Sequence, residues 1–325
     1  MRIVRYDSFG DPAELLHLGE SPLPEPGKGQ VRVRTILSPI HHHDLWTVRG
    51  TYGLKPPLPA IGGSEAVGVV DAVGDGVDAA LVGKRVAAAG VYGAWAEYFV
   101  AAAAGVLPMP DAIGDEAAAQ LVAMPFSAIA LLEFLNVKAG DWIIQNTANG
   151  AVGRTLALLA RSRGVHTINL VRRDAGVAEL AAAGIDNAVS TEDAAWKDKV
   201  RAIAGGQPIR AAVDSIGGKS TDDLADVLGE DGLLVSFGAV TGSPIEISSG
   251  SVIFKQLTLK GFWGNRIIAA MPGEQRRRLM GELVTLVAKG DIPLKAQAVF
   301  GFDDVVAAVH ATLAPGKTGK VMLRP

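Results

Sequence analysis

The chain has 325 residues, 49% of them hydrophobic and 20% charged, with a formal net charge of −3. That length exceeds one ordinary core and points to two domains. The mixed charge leaves no basic stripe of the kind that neutralises a nucleic-acid backbone, and the lack of cysteine excludes disulfides, thiolate nucleophiles and sulfur-bound zinc.

Met1 leads into RIVRYDSFG, which lacks the apolar core of a secretory signal, and no apolar run is long enough to span a membrane. A cytoplasmic location is therefore expected. In the first third, VRVRTIL (31–37), AVGVVDAVG (66–74) and KRVAAAG (84–90) read as short strands between Gly/Pro turns, which predicts a small, mostly antiparallel barrel. Near 115 the pattern changes to DEAAAQLVAMPFSAIALLEFL, whose spacing is helical with one proline interruption. From 141 apolar strands and helices alternate: DWIIQN, AVGRTLALLARSR, VHTINLVRR, GVAELAAAG, then IRAAVDSIGG, KSTDDLADVLG and GLLVSFGAV. Such alternation implies a parallel sheet covered on both faces. It ends at QLTLKGFW (256–263), after which helices at 274–289 and 303–313 precede a closing strand, GKVML. RRRL at 276–279 reads as a solvated helix face. The fold expected is α/β, with a doubly wound nucleotide-binding domain at 121–268 inserted into a β-rich catalytic domain formed by 1–120 and 269–325.

The sharpest chemical signal is IIQNTANGAVGRTLALLA (143–160). An apolar strand runs into Asn-x-x-Gly-x-x-Gly and a helix follows at once. Asn149, Gly150, Ala151, Val152 and Gly153 are the expected cofactor-binding residues. Gly150 lets backbone approach a pyrophosphate, Gly153 lets the helix pack on the sheet, and the first free N–H groups face the phosphates. Thr147 stands where the usual fingerprint has its first glycine. The next strand ends in Arg172 and Arg173, which suit a 2′-phosphate and favour NADP; Asp174 keeps NAD as the alternative. After LLVSF, the backbone of Gly238 and Ala239 is placed to approach a nicotinamide carboxamide.

The stretch SPIHHHDLWTVRGTYG (38–53) carries three of the six histidines and one of only four tyrosines. In an extended segment only His41 and His43 could converge on one face.

Four segments resemble the medium-chain dehydrogenase/reductase superfamily: GTYGLKPPLPAIGGSEAVGVVDAVG, GDWIIQNTANGAVG with TINLVRR, DSIGGKSTDDL, and IFKQLTLKGFW. Within it the chain looks most like the mitochondrial-type trans-2-enoyl thioester reductases. The resemblance implies a GroES-like catalytic domain, a Rossmann domain binding NADPH, and reduction of an activated double bond in an enoyl thioester. A zinc-free quinone or enone oxidoreductase is the alternative. Zinc-dependent members carry a ligand where His41 stands, with Asp44 in place, and a histidine where this chain has Ser64. His41 with Glu65 leaves such a site one ligand short, so no metal is expected.

The family match makes Tyr52 the proton donor; His41, which departs from the family, and Asp44 are expected beside it as catalytic residues, the histidine donating to the developing enolate or holding the tyrosine. It places Phe262 and Trp263 against the nicotinamide, and Trp46, His43 and Phe126 around a small-molecule acceptor. It also implies a homodimer through the sheet edge at IFKQLTLKG. The reductases usually show Asn-Pro-Ser-Asp where this chain has His41-His42-His43-Asp44.

Overall fold

Both ends of the chain enter the same unit. In the computed structural model, which describes residues 1–316 and 318–325, residues 1–124 and 284–325 form one compact unit and residues 125–283 a second.

The first unit begins with eight strands: β1 (Arg2–Tyr6), β2 (His17–Glu20), β3 (Gln30–Pro39), β4 (Ala60–Ile61), β5 (Glu65–Val73), β6 (Arg85–Ala89), β7 (Tyr98–Ala102) and β8 (Val106–Pro108). Along β3 the side chains of Val31, Val33, Thr35 and Leu37 alternate inward, as a half-buried strand requires. Val31 and Val33 meet Ala66, Val70, Val86 and Phe99 in one apolar cluster.

The second unit holds β9 (Trp142–Gln145), β10 (His166–Val171), β11 (Ala188–Ser190), β12 (Ile209–Asp214), β13 (Leu233–Ser236) and β14 (Thr258–Gly261). All five pairings are parallel, in the order β11-β10-β9-β12-β13-β14. This is the doubly wound order, in which the strand order reverses beside the first strand, β9. Five of the six residues of β10 are buried, because helices cover both faces and leave no polar side.

The chain then returns to the first unit with β15 (Ala296–Gly301) and β16 (Lys320–Arg324). The latter pairs antiparallel with β3, closing a seven-stranded sheet ordered β15-β16-β3-β5-β6-β8, with β7 also on β3. A three-stranded sheet, β2-β1-β4, completes the unit.

Two local expectations are corrected. The stretch from 115 is not one interrupted helix but two, Asp115–Ala118 and Met124–Leu135. Pro125 lacks an N–H and would interrupt a continuous helix but is tolerated in a first turn, so the longer helix starts at Met124 rather than continuing the shorter. The histidine run is not extended either: His42–Val48 is a short helix with His41 at its N-cap. Asp44, three residues into it, accepts the His41 N–H at 2.8 Å, which stabilises a helix start that three histidines would not announce. No helix among the described residues is long and apolar enough to cross a membrane.

Candidate active site

In the first unit, helix His42–Val48 leads directly to Tyr52. The carbonyl of Trp46 accepts the N–H groups of Thr51 at 3.0 Å and Tyr52 at 3.2 Å. Gly50 makes the turn with φ of +71°, in the left-handed region that glycine enters without strain. The loop thus folds back on the helix, and the Tyr52 ring stacks on His43 with centroids 5.6 Å apart. His43 in turn stacks on His41 at 5.0 Å and 13° between planes.

β5 enters this cluster after Gly62 and Gly63. A Cβ at either glycine would lie 2.2 or 2.4 Å from the fully buried ring of Trp95, so only glycine fits. The next residue, Ser64, donates its hydroxyl to Asp44 Oδ1 at 2.6 Å, and His43 Nε2 lies 2.7 Å from the same Oγ.

Glu65 follows, fully buried. Its Oε2 is 2.7 Å from His41 Nε2, and its Oε1 accepts the N–H groups of Val122 and Ala123, both at 2.7 Å. Those amides are the ones left over where the two helices near 120 fail to join. Burial pushes the Glu65 carboxyl up to about 8 against the pull of these amides, and burial with the nearby Lys320 charge pushes the His41 imidazole well below its ordinary value. Whichever partner holds the shared proton, one hydrogen bond joins them. His41 Nδ1 has no hydrogen-bond partner among the described residues.

This donor set does not suit a catalytic zinc. His41 Nε2 faces Glu65, His43 Nε2 faces Ser64, and no group of three or more His, Cys, Asp or Glu among the described residues could hold a metal ion.

In the second unit, the cofactor loop follows β9. Thr147 has φ of +50°, so it adopts the left-handed conformation that the fingerprint usually gives to glycine, at a cost on the order of 1 kcal/mol. Gly150 is the N-cap of helix Ala151–Ser162, and no side chain caps that end. Its first amides therefore remain for an anion. At Gly153 a Cβ would sit 2.8 Å from Ala148 Cα and 2.9 Å from the Thr147 carbonyl, a cradle that admits no side chain. Asn149 donates toward Glu179 at 3.5 Å and its carbonyl accepts from Arg154 Nε at 3.0 Å.

Asn146, which sequence reasoning passed over, ties the ends of β9 and β12 together. Its Nδ2 donates to Asp214 Oδ1 at 2.6 Å and its Oδ1 accepts the Ser215 N–H at 2.7 Å. Arg172 is exposed and Arg173 partly so, at the end of β10 and the N-cap of the next helix. These groups fit a dinucleotide carrying a 2′-phosphate.

The other expected residues are dispersed. Phe262 is buried, edge-on to Phe134 at 5.3 Å and tilted against Phe237 at 5.7 Å. Trp263 is 50% exposed. Gly238 follows β13, and its N–H, like that of Phe237, donates to the Asp214 carbonyl; Ala239 after it is exposed. Phe126 lies buried in helix Met124–Leu135, and Trp46 is half-buried with His42 tilted against it at 6.2 Å. His41 exposes no surface, so it cannot touch an acceptor directly. Ser64 and Glu65 are the residues sequence reasoning noted only as metal positions. A polar pair opening the apolar run AVGVV was the available sign that both need buried partners.

Two family models match the chain: a zinc-binding dehydrogenase over residues 151–280 and an alcohol dehydrogenase GroES-like domain over residues 27–111. The mitochondrial enoyl-[acyl-carrier-protein] reductase of Bos taurus is 31% identical, covering 99% of this chain and 88% of its own. The corresponding reductase of Arabidopsis thaliana is 32% identical, with 98% and 86% covered. Among solved structures, a Bacillus thuringiensis protein assigned as an NADPH:quinone reductase superposes with a TM-score of 0.92 at 29% identity, covering 100% and 98% of the two chains. A mycobacterial protein complexed with NADPH gives 0.88 at 28% identity, with both chains fully covered.

Proposed function

The chain belongs to the medium-chain dehydrogenase/reductase superfamily, and we propose that it is an NADPH-dependent reductase of the activated C=C bond in 2-enoyl thioesters. The observation that carries this reading is near full-length similarity to enoyl thioester reductases, joined to a tyrosine set on a hydrogen-bonded base rather than on metal ligands.

Asn149 to Gly153 would hold the pyrophosphate through backbone N–H groups, with Arg172 and Arg173 on the 2′-phosphate. Gly238, Ala239, Phe262 and Trp263 would border the nicotinamide. NADPH, when bound, supplies the hydride that Cβ of the acceptor receives. Negative charge then moves to the carbonyl oxygen, and Cα needs a proton. Tyr52 supplies it from its phenol O–H. Asp44 and His41 serve this step from behind, by shaping the helix start and the ring stack. Trp46, in the first unit, remains a proposed wall of the acyl site.

A quinone or enone acceptor is the second reading, favoured by the similarity to the Bacillus thuringiensis structure. Following NADPH oxidation with crotonyl-CoA, longer enoyl-CoAs and 1,4-benzoquinone separates the two. Turnover of quinones alone would overturn the thioester assignment.

A cytoplasmic location and a homodimer belong to the same proposal, with the inserted segment as the NADP-binding domain and both chain ends as the catalytic one. β14 ends the six-stranded sheet with all four residues exposed, among them Leu259, and such an edge pairs readily with its own copy. Sedimentation as a monomer would remove the dimer.

A further inference from the structure

We propose that Ser64 is a positioning residue for Tyr52, acting through the ring of His43; this rests on the assignment of Tyr52 as the proton donor. The argument is a count of protons. The Asp44 carboxylate can only accept: Oδ2 takes the His41 N–H at 2.8 Å and Oδ1 takes the Ser64 hydroxyl at 2.6 Å. The single hydroxyl proton of Ser64 is thereby committed. Its oxygen meets His43 Nε2 at 2.7 Å as an acceptor, so Nε2 carries a proton.

That assignment fixes more than a tautomer. A ring tethered at Nε2 cannot swing about its χ angles, and this ring lies between two others, His41 at 5.0 Å and Tyr52 at 5.6 Å. His41 is tethered in the same way, by Glu65 at 2.7 Å. Each imidazole of the stack thus has one hydrogen bond to one of two consecutive residues, Ser64 and Glu65, at the start of β5. The main chain of Tyr52 is held separately by the Trp46 carbonyl. Its ring lies against His43 at the end of the stack, so a movement of that imidazole reaches it.

The trio is not a nucleophilic triad. In that arrangement the carboxylate meets the far nitrogen of the histidine and the serine proton points to the ring. Here Asp44 takes the serine proton itself, and Ser64 has none to give.

Removing the hydroxyl frees the His43 ring, and a proton donor displaced by about 1 Å loses up to about 100-fold in rate. The test compares Ser64→Ala, Ser64→Thr, His43→Phe, Tyr52→Phe and the double variant S64A/Y52F on whichever enoyl-CoA or quinone the enzyme reduces. Ser64→Ala and His43→Phe, which keeps a ring but not the tether, should each lower kcat about 10-fold or more with acceptor KM and NADPH Kd within about twofold. Ser64→Thr restores the hydroxyl and should recover most of the rate. The double variant should be no slower than Tyr52→Phe, because a residue acting through Tyr52 has nothing left to act on. Losses that multiply, or an unchanged kcat in Ser64→Ala beside a slow Tyr52→Phe, would overturn the proposal while leaving Tyr52 in place.

If Tyr52→Phe keeps full rate, the Tyr52 assignment falls on its own. Spectra of the free protein with isotope-labelled tyrosine then judge the coupling. Ring signals of Tyr52 that shift in Ser64→Ala, with Tyr92 and Tyr98 unmoved, support it; unmoved Tyr52 signals end it.

Discussion

His41 and Glu65 share a 2.7 Å hydrogen bond between side chains that expose no surface. A buried pair of this kind titrates differently from its free components, and the folded chain inherits that difference as a pH-dependent stability.

The sign follows from proton counts. Burial raises Glu65 from 4.5 to about 8 and lowers His41 well below 6.5. Between pH 6.5 and 8 the folded chain keeps a proton on Glu65 that the unfolded chain has lost. Stability therefore falls as pH rises, by at most about 1.4 kcal/mol per pH unit. Between 4.5 and 6.5 that proton is matched by one the unfolded chain places on His41, and the two slopes cancel. Urea unfolding across this range should show a flat region and then a decline. Glu65→Gln, which cannot titrate, should abolish the decline; its persistence would assign it to another group.

Tyr52→Phe should lower the reductase rate about 100-fold, with NADPH affinity unchanged. Steady-state kinetics beside a fluorescence titration of the cofactor measure both. An unaltered rate would take the phenol out of the chemistry.

Replacing both Arg172 and Arg173 by Ala should weaken NADPH binding about 10-fold or more, since charge-assisted hydrogen bonds to a phosphate contribute about 1.5–3 kcal/mol. NADH, which lacks that phosphate, should bind as before. Equal losses for the two cofactors would place the arginines away from the ribose.

Gly153→Ala should cost about 1–3 kcal/mol and lower cofactor affinity, because the added methyl meets backbone rather than a side chain that can turn aside. Gly150→Ala is the milder change, with only the Thr147 carbonyl near at 3.2 Å. Thermal melts with and without NADPH rank the two; a Gly150 variant worse than the Gly153 variant would contradict the packing.

The alternation from 141 onward was legible because parallel strands buried on both faces read as unbroken apolar runs, and glycines punctuate the turns between them. Thr147 shows where that reading stops: its left-handed backbone is visible only in the fold. The start of helix His42–Val48 was hidden for another reason. Its signal is an aspartate accepting one N–H, without the apolar spacing that marks longer helices. Glu65 was legible as a polar residue in an apolar strand, yet its partners Val122 and Ala123 lie 57 and 58 residues away. They are backbone groups, to which no side-chain pattern points. The ring stack on Tyr52 depends on the same distant closures.

Gly62 and Gly63 press against Trp95, and Trp95 Nε1 is fastened to the Pro39 carbonyl at 3.3 Å. The backbone that presents Ser64 and Glu65 is thus fixed by a contact that tolerates no side chain, whereas the rings facing it at 41 and 43 are each tethered by one hydrogen bond, to Glu65 and to Ser64. An exchange at 43 or 64 therefore alters the ring stack on Tyr52 without reaching the frame that Trp95 closes.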